Sequence, residues 1–167
     1  ANAVNENVAA GTVVGVTAFA SDADATTNAV SYAITGGTGA ALFAIDAVTG
    51  EVTPAAATDR EALGPSRTIE VTATSADGST ASQTFIIAIN DLDEFDVTTP
   101  VDTDNAANAV NENVAAGTVV GVTAFASDAD ATTNAVSYAI TGGSGLGLFA
   151  IDAVTGEVTT ASSIDRE

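Results

Sequence analysis

An internal repeat restricts the fold of this chain more than any other feature, because residues 1–61 recur as residues 107–167 with seven substitutions. All the differences fall in two short segments, and the rest is copied without change. A repeat of about one hundred residues has the length of a whole domain and is too long for one turn of a solenoid. The sequence therefore predicts two copies of one domain, with repeat 1 over residues 1–95 and repeat 2 over residues 96–167.

Apolar side chains alternate with small or polar ones along the repeat, as Val30, Tyr32 and Ile34 do, and this is the period of a strand with one buried face. Turn-forming Gly, Asn and Asp residues separate the runs. Seven strands are predicted in repeat 1, over residues 3–8, 12–20, 29–35, 42–46, 51–53, 68–74 and 82–90. We expect an all-β chain of tandem seven-stranded Greek-key β-sandwiches of immunoglobulin-like type, with Tyr32 and its copy Tyr138 in the cores.

Repeat 2 contains copies of the first five predicted strands, but the 167 residues include no second copy of residues 68–74 and 82–90. Repeat 2 is therefore predicted to be incomplete, with half of a core and a strand edge open to solvent. We expect that the native chain continues past Glu167 or that strands from another molecule complete repeat 2. The chain is interpreted as a piece of a longer protein.

The charge of the chain excludes several classes of function. With 22 acidic residues against three basic ones, the formal net charge is −19, so nucleic acid and anionic membrane surfaces are not expected partners. No apolar run reaches the roughly 18 residues of a transmembrane helix. The chain has no Cys and no His, which excludes thiolate and imidazole metal sites and leaves hard cations. An enzyme is the least favoured class, because only carboxylate pairs remain as catalytic groups.

Acidic residues gather where the two repeats meet. The cluster comprises Asp91, Asp93 and Glu94, followed by Asp96, Asp102 and Asp104. Calcium has the matching chemistry, because it takes six to eight oxygen ligands from carboxylates, carbonyls and water. A solvated acidic linker would explain the same segment, and the residues alone leave both interpretations open.

Further motifs occur in a fixed order along repeat 1 and, where the sequence continues, along repeat 2. They are Val4-Asn5-Glu6-Asn7, Asp22-Ala23-Asp24, Asp59-Arg60-Glu61, Asp77-Gly78 and the closing Asn90 to Glu94. This series resembles the cadherin repeat, and more closely the cadherin-like repeats of large bacterial surface adhesins. The resemblance implies sandwiches of the cadherin type, with calcium bound between consecutive domains.

Carried over residue by residue, the resemblance implies two or three calcium ions at the junction of the repeats. Repeat 1 would supply Glu6, Asp59, Glu61, Asp91, Asp93 and Glu94. Repeat 2 would supply Asp128, Asp130 and the backbone carbonyl of Asn134. Half-sites toward a preceding domain would comprise Glu6, Asp22, Asp24 and Asp77, and those toward a following domain Asp165 and Glu167. Glu112, the copy of Glu6, is a further candidate ligand.

Two features qualify this assignment. The family's junction motif usually reads Asp-x-Asn-Asp-Asn, whereas this chain has Asp91-Leu92-Asp93-Glu94-Phe95. In addition, Asp22, Asp24 and Asp77 could be ordinary turn residues that bond to nearby backbone N–H groups. Arg60 is expected to pair with acidic neighbours.

Two functions from different classes follow. The first is a calcium-stiffened extracellular adhesin or spacer module, in cell-surface attachment or a biofilm matrix, whose partners are adjacent repeats or other copies of the chain. The alternative is a calcium-dependent module that binds a surface polysaccharide. Sugar sites usually present exposed aromatic platforms, and this chain has no Trp and only two Tyr, so the adhesin is preferred.

Overall fold

The computed structural model of the chain describes residues 2–167. The chain divides into unit 1, Ala1–Asp93, and unit 2, Glu94–Glu167. Within the described residues the regular elements are strands and one four-residue helix, and none of them could cross a membrane as a helix. The predicted all-β fold is confirmed.

Unit 1 contains six strands and the helix. In chain order they are β1 (Ala3–Asn5), β2 (Val30–Gly36), β3 (Phe43–Ile45), β4 (Val52–Pro54), α1 (Arg60–Leu63), β5 (Ser66–Ser75) and β6 (Thr80–Asn90). The helix was not predicted.

The strands of unit 1 form two layers, as in an immunoglobulin-like sandwich. One sheet has the order β1-β6-β5-β2, and the other pairs β3 with β4. Strand β5 is antiparallel to both β2 and β6, whereas β1 is parallel to β6 with Ala3 opposite Ala88 and Asn5 opposite Asn90. The first and last strands of the unit are therefore neighbours.

The segment predicted as a strand over residues 12–20 is extended, but in unit 1 it forms only an isolated bridge. It runs along β4, where the Val52 N–H donates to the Val16 carbonyl at 3.0 Å and the Ala18 N–H donates to the Gly50 carbonyl at 2.8 Å. Gly15 has φ 74°, a left-handed conformation that glycine adopts readily, and its copy Gly121 has the same φ within β8 of unit 2, Val119–Phe125. The segment nevertheless completes the second layer.

The core of unit 1 lies between the layers and draws on both. Side chains from the two faces form one buried cluster: Val4, Val14, Val16, Ala18, Tyr32, Phe43, Val52, Ile69, Val71 and Ile87. The period-two pattern predicted a buried face with Val30, Tyr32 and Ile34, and Tyr32 is in the core with Val30 and Ile34 packed against it.

Unit 2 contains four strands in one sheet. They are β7 (Val101–Asp102), β8 (Val119–Phe125), β9 (Phe149–Ile151) and β10 (Glu157–Thr160), in the order β7-β8-β10-β9. Strand β7 was not predicted, and it pairs with the C-terminal end of β8, where Val101 lies opposite Phe125.

The prediction that repeat 2 would contain counterparts of the first five strands is wrong for two of them. The copies of β1 and β2, residues 109–111 and 136–142, form no strand in the part of the chain that the structure describes. In unit 1, β1 pairs with β6 and β2 pairs with β5. The 167 residues include no copies of β5 and β6, so neither ladder forms among the described residues of unit 2.

Candidate calcium sites

Helix α1 places the Asp59-Arg60-Glu61 motif at the edge of unit 1. Asp59 is the N-cap, and its carboxylate accepts a hydrogen bond from the Ala62 N–H at 2.9 Å. The helix ends at Gly64, whose φ of 81° suits glycine. Asp59 therefore has a structural role in addition to its predicted role as a ligand.

Glu6 follows β1 and is only 1% exposed. Its two carboxylate oxygens accept hydrogen bonds from different segments, one from the Arg60 N–H at 2.6 Å and the other from the Leu92 N–H at 2.7 Å. Glu6 thus joins the end of β1 to the start of α1 and to the segment after β6. Its predicted second placement beside Asp22, Asp24 and Asp77 is wrong, because the parallel pairing of β1 with β6 puts it at the other end of the unit.

Glu61 lies next to Glu6, with a carboxylate oxygen of each within 4.8 Å of the other. Arg60 provides positive charge nearby, since its Nε lies 3.4 Å from a carboxylate oxygen of Asp91 and its Nη1 donates to the Ile89 carbonyl. The expected local pairing of Arg60 is confirmed. We call Glu6, Asp59, Glu61, Asp91 and Asp93 the lower cluster.

A second group, which we call the upper cluster, consists of Asp22, Asp24 and Asp77, whose carboxylate oxygens lie within 4.8 Å of one another. Asp22 accepts hydrogen bonds from the Asp24 N–H at 2.9 Å and from the buried Ser75 hydroxyl at 2.5 Å. Asp77 accepts from the hydroxyl and N–H of Ser79, and these bonds hold the pKa of Asp77 below its usual value. The carboxylates of the upper cluster therefore make hydrogen bonds within turns and also converge on one another, so the turn role and the ligand role are compatible.

The two clusters lie at opposite ends of unit 1. Asp77 is in the turn before β6, and Asp91 follows β6 directly. An eleven-residue strand is roughly 35 Å long, so β6 separates the clusters by about the length of the domain.

In unit 2 the copies of Asp22 and Asp24 are Asp128 and Asp130. Asp130 is 2% exposed and accepts hydrogen bonds from the Glu94 N–H at 3.1 Å and the Thr133 hydroxyl at 3.1 Å. Asp128 accepts one from the Asp130 N–H. Asn134 is exposed. Each carboxylate keeps the local turn geometry of the upper cluster.

The copies of the lower-cluster residues that unit 2 contains are all exposed to solvent, including the copy of the buried Glu6. Glu112 is exposed, and it accepts a hydrogen bond from the Arg166 N–H at 3.3 Å, as Glu6 does from Arg60. The Asp165 carboxylate accepts one from the Glu167 N–H. In unit 1 the hydrogen bond from the Leu92 N–H completes the enclosure of Glu6, and the 167 residues include no copy of Leu92.

The donor set of unit 1 fits calcium. Both clusters offer oxygen atoms and neither offers sulfur or ring nitrogen, which is the preference of a hard cation. Carboxylates this close repel one another unless a cation or a proton offsets their charge.

Sequence reasoning missed three groups that orient these carboxylates: the N–H groups of Arg60 and Leu92, and the Ser75 hydroxyl. Backbone donors carry no sequence signal, and Ser75 is distant from Asp22 along the chain. Asp102, left open as a ligand or a turn residue, accepts hydrogen bonds from the N–H groups of Thr123 and Asp104 and from the Asn108 side chain, which lower its pKa. Its carboxylate therefore fastens β7 to β8.

Comparison with known proteins agrees with this architecture. The model of the Cadherin domain matches residues 2–91 and 107–167. The human protein Protocadherin Fat 4 is 37% identical over 166 residues, which is 98% of this chain and 3% of that protein. The chain thus spans a small fraction of its relative.

Solved structures show the same fold. The structure of mouse Cadherin-23 EC22-24 matches 98% of this chain and 51% of its own length, with a TM-score of 0.74 and 26% identity. Extracellular cadherin domains 3-6 of Protocadherin Gamma B2 match 99% of this chain and 43% of their own length, with a TM-score of 0.82 and 25% identity. On the matched motifs, the sequence identity and the shared sandwich, the chain belongs to the cadherin domain family.

Proposed function

We propose that the chain is an extracellular adhesion module in which calcium, bound by clustered carboxylates, stiffens the linkers between successive cadherin repeats. The observation that supports this most strongly is the presence of one carboxylate cluster at each end of β6 in unit 1. A domain with acidic groups at both ends can share a cation with a preceding and a following domain. A single internal metal site would need only one cluster.

Electrostatics supplies the reason for stiffening. Unlike charges a few ångströms apart attract strongly when partly shielded from water, and like charges repel. Bound calcium supplies two positive charges and six to eight coordination positions for oxygen. Without a cation, the carboxylates of Glu6 and Glu61 lie within 4.8 Å of each other and repel, and the repulsion opposes the arrangement that a shared cation would hold.

The chain's own hydrogen bonds prepare these carboxylates for binding. The N–H groups of Arg60 and Leu92 fix both oxygens of Glu6, and the N–H of Glu94 and the hydroxyl of Thr133 fix those of Asp130. Groups held in this way lose little conformational freedom when they bind a cation. We propose that the junction ligands are Glu6, Asp59, Glu61, Asp91, Asp93, Glu94, Asp128, Asp130 and the carbonyl of Asn134.

The remaining predicted ligands are proposed as half-sites, with Asp22, Asp24 and Asp77 toward a preceding repeat and Glu112, Asp165 and Glu167 toward a following one. The partners would then be adjacent repeats of a longer chain or other copies of it. The relatives named above are animal proteins, so the bacterial surface or biofilm setting stays a prediction. No observation favours the polysaccharide-binding alternative, and it is not part of the proposal.

Calorimetric titration of the chain with calcium, together with small-angle X-ray scattering, tests the proposal. We expect saturable binding and a narrower distribution of interatomic distances with calcium than with chelator. Glu61→Ala should weaken binding by about tenfold or more, since each step of 1.4 kcal/mol is tenfold. Asp59 is a poorer choice because it also caps α1.

Glu51→Ala is the matched control, because it removes one exposed carboxylate outside both clusters. Its calcium affinity should equal that of the unchanged chain. Absence of binding, or equal loss in Glu61→Ala and Glu51→Ala, would overturn the proposed function.

A further inference from the structure

The few positive charges of this chain are concentrated in the Asp-Arg-Glu motif. The chain has only three basic residues, and two of them, Arg60 and its copy Arg166, occupy the middle of this motif in the two repeats. In unit 1 the motif belongs to the lower cluster. A guanidinium placed among carboxylates that are proposed to bind calcium would compete with that cation for the same negative charge.

Arg60 makes three separate contacts in and around the lower cluster. Its backbone N–H donates to a carboxylate oxygen of Glu6 at 2.6 Å. Its side-chain Nε lies 3.4 Å from a carboxylate oxygen of Asp91, and its Nη1 donates to the Ile89 carbonyl. One residue therefore contacts both Glu6, which follows β1, and Asp91, which follows β6.

The ion pair of Arg60 with Asp91 is largely shielded from water. The two side chains are 20% and 11% exposed, and Glu6, which accepts from the Arg60 N–H, is 1% exposed. Salt screens a partly buried pair much less than a pair on the surface. Removal of one partner of such a pair leaves the other charge uncompensated, which is strongly destabilising. The guanidinium thus offsets the charge of a carboxylate that is mostly withdrawn from solvent.

The upper cluster has no comparable counter-charge. Among the described residues that line the cavity beside Asp22 and Asp77, none is Arg or Lys. The carboxylates there are oriented by neutral donors, such as the Ser75 hydroxyl and the Ser79 N–H. The two clusters offer the same kind of ligand atom, and the guanidinium distinguishes the lower one.

The bond to Ile89 fixes the position of the guanidinium. Ile89 is fully buried near the end of β6, two residues before Asp91. Because its carbonyl belongs to a core strand, the Arg60 side chain is anchored beside Asp91 and cannot move away freely when that carboxylate binds a cation. Calcium would then share the carboxylate with a second positive charge, and like charges that close repel.

We propose that Arg60 is a positioning residue of the lower cluster, whose guanidinium acts as a built-in counter-ion that holds Asp91 in place without calcium and, by the same charge, weakens calcium binding. The inference rests on the proposed calcium function and adds to it a residue that sets the affinity at one end of unit 1. The lower cluster then keeps its arrangement when calcium is withdrawn. The upper cluster, without a guanidinium, has no such protection.

The test compares Arg60→Gln with the unchanged chain in chelator and in saturating calcium. The substitution keeps the backbone N–H that bonds to Glu6, and Tyr32 fluorescence in a Tyr138→Phe background follows unfolding of unit 1. With chelator, Arg60→Gln should lower the midpoint of thermal unfolding by about 4 °C or more. With calcium the loss should be smaller, because the bound cation supplies the missing charge.

Calorimetric titration measures the same coupling directly. We expect calcium to bind Arg60→Gln at least about fivefold more tightly than the unchanged chain, the lower end of the usual coupling between two sites. A smaller loss of stability with calcium and a tighter binding of calcium are the same free-energy difference, so the two measurements check each other.

Arg67→Gln is the matched control, because it makes the same change in charge outside both clusters. Arg67 lies opposite Ile87, roughly 13 Å along β6 from Asp91, and charges are screened over about 8 Å at an ionic strength of about 0.15 M. Its calcium affinity should equal that of the unchanged chain. Arg60→Lys keeps the charge and should stay close to the unchanged chain in both measurements, and its comparison with Arg60→Gln separates charge from packing.

Three results would overturn the inference. An equal loss in the unfolding midpoint with and without calcium would make Arg60 a structural residue only. Weaker calcium binding in Arg60→Gln would mean that the guanidinium assists the cation. Equal affinities of Arg60→Gln and Arg67→Gln would show that the place of the charge does not matter. In each case calcium binding by the unchanged chain would leave the proposed function standing, whereas absence of that binding would overturn both.

Discussion

Unit 1 and unit 2 present nearly the same residues in two contexts, and their structures differ where a strand partner is missing. Tyr32 is 8% exposed in unit 1, whereas its copy Tyr138 is only partly buried. Residues 30–36 form β2, but the identical residues 136–142 form no strand. An alternating pattern therefore makes a strand possible, and the pairing partner makes it form.

Hydrogen bonds and strand pairs whose two partners both lie in the copied residues are the same in both units. The Tyr32 hydroxyl accepts a hydrogen bond from the Ala20 N–H at 3.0 Å, and Tyr138 accepts one from the Ala126 N–H at 3.0 Å. The two short hairpins, β3 with β4 and β9 with β10, also share their register. Contacts that need residues outside the copied segment are the ones that differ, namely those with residues 66–90 in unit 1 and the pairing of β7 with β8 in unit 2.

The largest expected effect comes from removing a β5 side chain from the core of unit 1. Ile69→Ala should lower the free energy of unfolding of unit 1 by about 2–5 kcal/mol, the usual loss for a buried Ile. Because the chain has two Tyr and no Trp, fluorescence in a Tyr138→Phe background reports on unit 1 during denaturant unfolding. The same truncation at exposed Ile86 should have little effect, and an equal loss there would contradict the assignment of the core.

Glu6 and Glu112 offer a comparison of one residue in two environments. Glu6→Ala removes the acceptor of two backbone N–H groups in a buried position, which should cost unit 1 about 1–3 kcal/mol. Glu112→Ala removes an exposed side chain and should leave unit 2 nearly unchanged. Both are measured by denaturant unfolding with chelator present, and equal losses would show that burial of Glu6 does not matter.

Thr58 is a position where the two copies differ in sequence. Its side chain is fully buried, its hydroxyl has no hydrogen-bond partner among the described residues, and the copied position carries Ile164. Thr58→Val keeps the shape and removes the unpaired group, so unit 1 should gain about 1 kcal/mol in the free energy of unfolding. Thr26→Val, at an exposed position, is the control in the same thermal melts; a gain of equal size there would indicate a general effect of Val.

The smallest effect, and one that should be equal in both units, concerns Asp46 and its copy Asp152. Backbone N–H groups of Thr49 and Val48 hold the pKa of Asp46 below its usual 3.8, and those of Thr155 and Val154 do the same for Asp152. The stabilisation is present above pH 3.8 and is lost as the pH falls through the lowered folded pKa. Carboxyl NMR titration should give equally lowered values for both, and Asp46→Asn should remove this part of the pH dependence in unit 1. A normal pKa for Asp152 would show that the turn needs a complete unit.

Sequence pattern predicted the long strands of unit 1 closely. Predicted residues 68–74 and 82–90 are found in β5, Ser66–Ser75, and β6, Thr80–Asn90. Helix α1 was missed although its signals are present, with Asp59 as N-cap and Gly64 after the last turn. The motif had been interpreted only as a set of metal ligands.

The strand predictions that are wrong for unit 2 share one physical cause, which is that a strand forms only where it has a pairing partner. Strand β7 is two residues long and exists through its pairing with β8, so no pattern marks it. The copies of β1 and β2 keep the alternating pattern of apolar residues but form no hydrogen-bonded ladder among the described residues. Similarly, the carboxylate-rich motifs could be found by reading the sequence, but the burial of Glu6 depends on the parallel pairing of β1 with β6.

That pairing also determines how unit 1 resists force. Since β1 is parallel to β6, a pull on the two chain ends draws these strands past each other along their length. Their bonds, together with the one from the Glu6 N–H to the Asn90 carbonyl at 3.0 Å, are then loaded in shear and must break together. The parallel β1–β6 pair therefore lies directly in the line of tension and resists extension of unit 1, whereas residues 109–111, the copy of β1, form no ladder in the part of unit 2 that the structure describes.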